Sequence, residues 1–379
     1  MALTLSDEQT LVRDTARDFF KASAPTTELR RLRDSGDPAG FSRDLWRQMA
    51  ELGWTGILFP EDYGGNDFGF LNLGLVMEEA GRTLAASPLF STVVLAGSAV
   101  LLAGSEAQRR RILPAISAGE LVMALAVDER PRHDPAWIET RAEKADGGFR
   151  LSGHKTFVLD GGAADEFVLV ARTSGGPRDT QGLTLFLAPA DAPGLTRAPV
   201  TLIDSRNAAN LGLDGVSVAA DAVLGPVDGA WPVLEQVLDR GRIALAAEML
   251  GAAQEALDLT VEYLKTRKQF GVPIGSFQAL KHRAAEMFCQ IELSKSAVLE
   301  ALSAVDERRN DLPQLASLAK ERLSDTSQLV TNECLQMHAG IGMTDEHDIG
   351  LFLKRARVAA ATFGDAFFHR DRYAALESY

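Results

Sequence analysis

Apolar side chains recur at helical spacing through the first third of the chain, change to short runs in the middle, and return to helical spacing for the remainder. In residues 1–120, Ser6 to Gln9 and Ser105 to Gln108 both match a capping box, in which a hydroxyl and an amide side chain satisfy orphan amides at a helix start. Phe59-Pro60-Glu61-Asp62-Tyr63-Gly64-Gly65 breaks the period and reads as a loop. From about Leu121, β-type runs at 121–127, 149–152, 156–159, 167–171, 183–187 and 216–218 predict a small antiparallel sandwich or barrel. After Gly225-Pro226 and Gly229 the helical period resumes. Trp231, Leu234, Leu238, Leu245, Met249, Ala252, Leu259 and Tyr263 predict one rod of about 35 residues, roughly 50 Å long. Helices at 276–305, 312–338 and roughly 351–376 complete four antiparallel rods, a bundle. The expectation is an α+β chain with divisions at 1–120, 121–228 and 229–379.

Charge narrows the partners. The net charge is −13 and the acidic excess is spread evenly, which excludes a nucleic-acid-binding surface built on a basic stripe. Residues 83–105 carry no charge beyond Arg82 and before Glu106, and are long enough on paper to span a bilayer. Pro88, Gly97, Gly104 and several hydroxyl residues favour a buried core helix with a turn at Pro88 instead, so no membrane span is expected. Asp7, Glu8, Arg13 and Asp14 interrupt any apolar signal-peptide core. Cys289 and Cys334 lie in helical runs and read as reduced core thiols of a cytoplasmic protein.

Chemistry is thinly marked. There is no Gly-rich phosphate loop, no metal-ligand spacing among six His and two Cys, and no nucleophile elbow. His282 and His338 read as packed or surface residues. What stands out is glycine inside helical territory, at Arg267-Lys268-Gln269-Phe270-Gly271 and Gln336-Met337-His338-Ala339-Gly340-Ile341-Gly342. Glycine lets a backbone approach a ligand, and arginine suits a phosphate. A helix C-cap with a surface charge explains the same residues.

These two segments, the Pro60 to Gly65 loop and the Phe277-Gln278 pair stand in order, and on them the chain resembles an acyl-CoA dehydrogenase over essentially its full length. The resemblance implies a helical N-domain, a β-barrel or sandwich middle domain and a C-terminal four-helix bundle. It implies FAD held between the middle domain of one subunit and the C-domain of its neighbour. Arg267 would meet the neighbouring pyrophosphate, Phe270 and Ile274 the adenosine side, and Gln336 with Gly340 the flavin backbone. Phe277, Gln278 and Phe157 fall on further cofactor positions, and Arg242 on the substrate side. The implied reaction takes an α-proton and a β-hydride from an acyl-CoA and passes the electrons to an electron-transfer flavoprotein.

The chain departs from this family's pattern at three places. The usual Glu base of a Tyr-Glu-Gly run is replaced within Ala361-Thr362-Phe363-Gly364-Asp365-Ala366, with Phe363 at the Glu position; the alternative base position, before Arg242, is Gly241. A small-residue flavin-phosphate loop is replaced by Val127-Asp128-Glu129-Arg130-Pro131-Arg132-His133-Asp134, and a Trp-Ile-Thr-Asn stretch by Phe157-Val158-Leu159-Asp160. Asp365 is the nearest substitute base, though a helix-cap role or a salt bridge to Arg370 or Arg242 competes with it. Glu248 lies two helical turns past Gly241, roughly 10 Å away and too far to act. Two expectations follow. One is an autonomous enzyme, a homodimer or homotetramer. The other is the base-lacking subunit of a heterotetramer with a homologous catalytic chain, similar to sequences associated with steroid or branched acyl-CoA breakdown.

Overall fold

The computed structural model describes residues 4–379. Six helices come first: α1 (Asp7–Ser23), α2 (Thr26–Ser35), α3 (Arg43–Glu51), α4 (Gly69–Arg82), α5 (Ser98–Ala103) and α6 (Glu106–Ser117). Both capping boxes form. Ser6 Oγ accepts from Gln9 N at 3.2 Å while Gln9 Oε1 accepts from Ser6 N at 2.9 Å, and Ser105 and Gln108 repeat the arrangement. The uncharged stretch turns at Pro88 and continues as a π-helix, Leu89–Gly97, with every residue buried, before α5. Gly97 is required there, since a Cβ would lie 2.6 Å from the Phe59 ring.

The middle of the chain forms one eight-stranded sheet from β1 (Met123–Ala126), β2 (Arg141–Ala145), β3 (Gly148–Leu159), β4 (Glu166–Arg172), β5 (Leu183–Pro189), β6 (Leu195–Pro199), β7 (Ala208–Ala219) and β8 (Val223–Leu224). The order is β6-β7-β3-β2-β4-β5-β8, with β1 parallel to β4. Among the described residues no pairing joins β6 to β8, so the sheet stays open rather than closing into a barrel. The two runs expected at 149–152 and 156–159 are one strand, β3, bent by register shifts against β7. Phe149, Leu151, Phe167, Leu169, Phe186 and Leu211 fill its core.

The remainder holds α7 (Trp231–Thr266), a short hairpin of β9 (Lys268–Gln269) and β10 (Val272–Pro273), α8 (Gln278–Asp306), α9 (Leu312–His338), α10 (Ile349–Ala361) and α11 (Ala366–Leu376). The single rod of 36 residues forms as the apolar period predicts. The last helix does not. It divides into α10 and α11, because Phe363 and Gly364 take positive φ and Asp365 starts a new helix as its N-cap. Among the described residues there are therefore five helices here, not four. Cys334 is buried but Cys289 is exposed, so only one of the two thiols is a core residue.

The chain divides into two compact units. One takes the residues up to Arg30, then Phe70–Ala85 and Arg242–Tyr379; the other takes Arg31–Gly69 and Ala86–Gly241. In the first, α4 and α7 cross in backbone contact. A Cβ on Gly81 would lie 2.0 Å from the Glu248 carbonyl oxygen, and one on Gly251 would lie 1.7 Å from that of Glu78. Asp306 accepts from the amides of Phe70 (2.6 Å) and Leu71 (2.9 Å), capping α4 from another helix. In the second, Arg111 clasps Glu166 through two hydrogen bonds, and the Ser91 hydroxyl donates to Asp160 at 2.6 Å in the interior.

Candidate active site

The break between α10 and α11 is a tightly specified loop. Phe363 is buried with φ of 56°, a conformation costly for a bulky side chain. Its carbonyl oxygen accepts from His369 Nε2 at 3.1 Å and from Arg242 Nε at 3.5 Å. The Gly364 carbonyl accepts from Lys320 Nζ at 3.0 Å. Gly364 has φ of 105°, and a Cβ there would meet Phe368 at 2.3 Å. Arg242 is fully buried and lies over the Phe368 ring at 5.6 Å. Asp365 accepts from Phe368 N at 2.9 Å and caps α11. Arg370 pairs with Glu321 (2.6 Å) and Asp325, not with Asp365. Glu248 is committed to Arg355 at 2.9 Å, both side chains buried. No carboxylate therefore stands at position 363. Lys320 and His369, which bring two further basic groups to this loop, carry no motif. Lys320 is nonetheless in register with the buried Ala316, Leu323 and Ser327 on one face of α9.

The second cluster lies at the ends of α7 and α9. Tyr263 stacks on His338 with ring centroids 4.5 Å apart, which brings the segment that precedes Arg267 to the segment that follows Gln336. His338 is buried and donates from Nδ1 to the Cys334 carbonyl at 2.8 Å. Burial holds its pKa below the usual histidine value, with the Cys334 carbonyl opposing. Arg267 is exposed and its side chain has no hydrogen-bond or ionic partner among the described residues. The turn beyond it puts Phe270 at φ 53° and Gly271 at φ 81°, so a phenylalanine occupies a position that favours Asn or Gly, with its side chain 92 % exposed. Phe270 meets Phe277 edge-on at 6.0 Å. Ile274 donates from its amide to the Arg267 carbonyl at 2.8 Å, and Gln278 opens α8. At the far end, Gln336 and Gly340 are exposed, nothing approaches within 4 Å of where a Gly340 Cβ would be, and Ala339 holds φ 54°, ψ −135°. An exposed cation, open backbone and strained turns form a surface suited to a phosphate-bearing ligand.

In the other unit, most polar groups of residues 127–134 are taken up by neighbouring residues, while Arg132 stays exposed. Lys155 is fully buried and donates to the Val127 carbonyl (3.0 Å) and to Glu129 (2.6 Å). Glu129 also accepts from the amides of Glu139 and Thr140; burial pushes its carboxyl up, but Lys155 and these donors outweigh it and hold it below its ordinary value. Thr156 N donates to the Asp128 carbonyl at 2.7 Å, His133 meets Asp128 at 2.9 Å, and Arg130 lies over Trp137 at 3.4 Å. Phe157 has φ of 56° and donates its amide to Asn210 Oδ1 at 2.9 Å. Leu159 is buried and offers no hydroxyl. The Arg267 and Gln336 cluster of the first unit thus keeps exposed polar groups, whereas those of the Phe363 loop and most of those at 127–134 are already engaged.

A helical segment, a sheet and a helical bundle in this order define an acyl-CoA dehydrogenase fold. Family models describe the same three parts: "Acyl-CoA dehydrogenase, N-terminal domain" matches residues 6–120, "middle domain" residues 125–216 and "C-terminal domain" residues 228–375. The chain belongs to the acyl-CoA dehydrogenase family. It is 30% identical to the probable acyl-CoA dehydrogenase YngJ of Bacillus subtilis, over 94% of each chain. Among solved structures it matches butyryl-CoA dehydrogenase from Megasphaera elsdenii with a TM-score of 0.92 and 28% identity, covering 100% of both chains. It also matches a variant of the Tcur3481-Tcur3483 steroid ACAD, with a TM-score of 0.89, 32% identity and 99% of both chains covered.

Proposed function

We propose that the chain acts in FAD-dependent α,β-dehydrogenation of an acyl-CoA thioester, with the electrons leaving through an electron-transfer flavoprotein. Family membership over the whole chain supports the reaction. A relative named as subunit CarC of the caffeyl-CoA reductase-Etf complex, from Acetobacterium woodii, is 30% identical over 93% of each chain and supports the electron route. Bound FAD would supply the hydride acceptor. The residues that would hold it from this chain are Arg267, with a charged fork toward the pyrophosphate, Phe270 and Ile274 at the adenosine side, and the exposed backbone around Gln336 and Gly340. Phe277 and Gln278 border the same surface; Arg242, which the resemblance assigns to the substrate, is fully buried against the Phe363 carbonyl and the Phe368 ring.

A second reading rests on Phe363. A phenyl ring accepts no proton, and general-base catalysis is worth about 10² to 10⁴-fold. With Asp365 held as a helix cap and most polar groups at 127–134 already engaged, the chain fits best as a cofactor-completing subunit. It would offer Arg267 and the Gln336 segment to the flavin of a homologous partner that carries the base. The Tcur3481-Tcur3483 pair and the ChsE4-ChsE5 complex of Mycobacterium tuberculosis, which matches at 25% identity and a TM-score of 0.89, support a paired arrangement. Among the described residues no helix is long and apolar enough to cross a membrane, in keeping with a cytoplasmic setting.

The deciding experiment expresses the chain alone and with a homologous partner, then measures flavin per chain and acyl-CoA dehydrogenation with a dye acceptor. Flavin and turnover only on co-expression are expected. One FAD per isolated chain, with turnover abolished by Asp365→Ala, overturns the partner-subunit reading.

A further inference from the structure

We infer that Lys320 is the positioning residue of the Phe363 loop, holding both edges of the break between α10 and α11 so that the side chain at 363 keeps one direction. Its Nζ is fully buried on α9 and reaches three oxygens. These are the Ala360 carbonyl in the last turn of α10 (3.1 Å), the Gly364 carbonyl (3.0 Å) and the Ser324 hydroxyl (3.3 Å). Among the described residues no carboxylate pairs with it. Buried lysines are ordinarily paired, so the arrangement calls for a reason. All three oxygens accept: the Ser324 hydroxyl gives its own hydrogen to the Lys320 carbonyl at 2.7 Å, so the three N–H groups of the ammonium serve the two carbonyls and the hydroxyl. These three acceptors stand in for a counter-ion, and they tie α9 to residues 360 and 364 with Phe363 suspended between them.

Burial first, and then Arg242 of α7, push the Lys320 pKa down to about 7, while Asp365 at the start of α11 opposes them. His369 of α11 is spent on the Phe363 carbonyl, and Arg355 of α10 on Glu248. An opened loop would expose Lys320 to water, where its pKa is about 10.4. Opening therefore takes up a proton between about pH 7 and that value, and closing the loop becomes more favourable as pH rises through this window. The loop is a clasp that tightens as pH rises above neutrality. The inference rests on the proposed reading only in naming position 363 as the base position of the reaction.

Hydrogen exchange of the full-length chain tests it without flavin or acyl-CoA, so its outcome is separable from that of the functional reading. The measured quantity is the protection of amides in 361–368 relative to amides in α8. This ratio is expected to rise at least tenfold between pH 7 and pH 9. In a folded Lys320→Met variant it should be lower at pH 9 by at least tenfold and independent of pH. A flat ratio in the unsubstituted chain overturns the inference even if Lys320→Met fails to fold. So does a folded Lys320→Met chain whose loop protection matches the parent.

Discussion

Tyr263 and His338 stack with their rings 4.5 Å apart and planes inclined by 29°, and His347 tilts onto the same imidazole at 4.3 Å. The Nδ1 proton of His338 goes to Cys334, and its buried Nε2 has no hydrogen-bond partner among the described residues. Charging this ring would place a cation beside a second histidine, in a site that burial already makes unfavourable to charge.

The pH consequence has a definite sign. Both histidines have folded pKa values below the unfolded value of about 6.5, so the unfolded chain binds protons first on acidification. Their contribution to stability is complete above that pH and is lost as pH falls through the folded values. Urea unfolding between pH 7.5 and 5 should show this decline. His338→Phe, which keeps a ring against Tyr263 but cannot titrate, should make it shallower; an unchanged slope counts against His338 as its source.

Arg267→Ala is expected to leave folding stability within about 0.5 kcal/mol, because an exposed side chain with no partner is removed. Flavin retention by the assembled protein should weaken by roughly 10- to 100-fold, the worth of a charge-assisted hydrogen bond at about 1.5 to 3 kcal/mol. Fluorescence titration of released flavin measures this, and an unaltered affinity would remove Arg267 from the cofactor surface.

Two glycines near these clusters should behave oppositely. Gly364→Ala places a Cβ 2.3 Å from the Phe368 ring on backbone at φ 105°, and should cost about 2 to 4 kcal/mol. Gly340→Ala meets nothing within 4 Å and should cost under about 1 kcal/mol. Chemical denaturation of the pair checks the contrast; equal losses would mean the helix break is not held as described.

Glu129→Gln leaves Lys155 buried without its counter-ion and is expected to destabilise by about 3 to 5 kcal/mol. Replacing both residues by methionine should recover most of that loss. A Glu129→Gln protein as stable as its parent in urea would show that the 2.6 Å contact contributes little.

Much of the framework was legible because it rests on periodicity and local capping. The two capping boxes and the long rod of α7 are written in consecutive side chains and need no tertiary context. The edge strand β6 escaped notice because nearly all its residues face solvent and lack an apolar alternation. The division of α10 from α11 escaped as well, since Phe363 holds its positive φ through contacts that include Arg242, which is remote in sequence. Lys320 was invisible for the reverse reason. A lysine on a helix reads as solvated unless its neighbours at helical spacing are seen to be buried. The loop at 127–134 reads as merely bulky and charged in sequence; only its contacts reveal that Asp128, Glu129 and Asp134 are paired with His133, Lys155 and Arg178.

Helix α7 carries Arg242 in its first half and Arg267 just past its last residue, 25 positions apart, which at about 1.5 Å per residue is roughly 37 Å. With its backbone pressed against α4, the rod works as a ruler of fixed length. Two arginines separated by that ruler cannot converge on one phosphate or one reacting carbon, so under the proposed function each would serve a different ligand group. Damage at one should leave recognition at the other intact, and a complete catalytic unit has to count its arginines by their marks along its rods rather than by its chains.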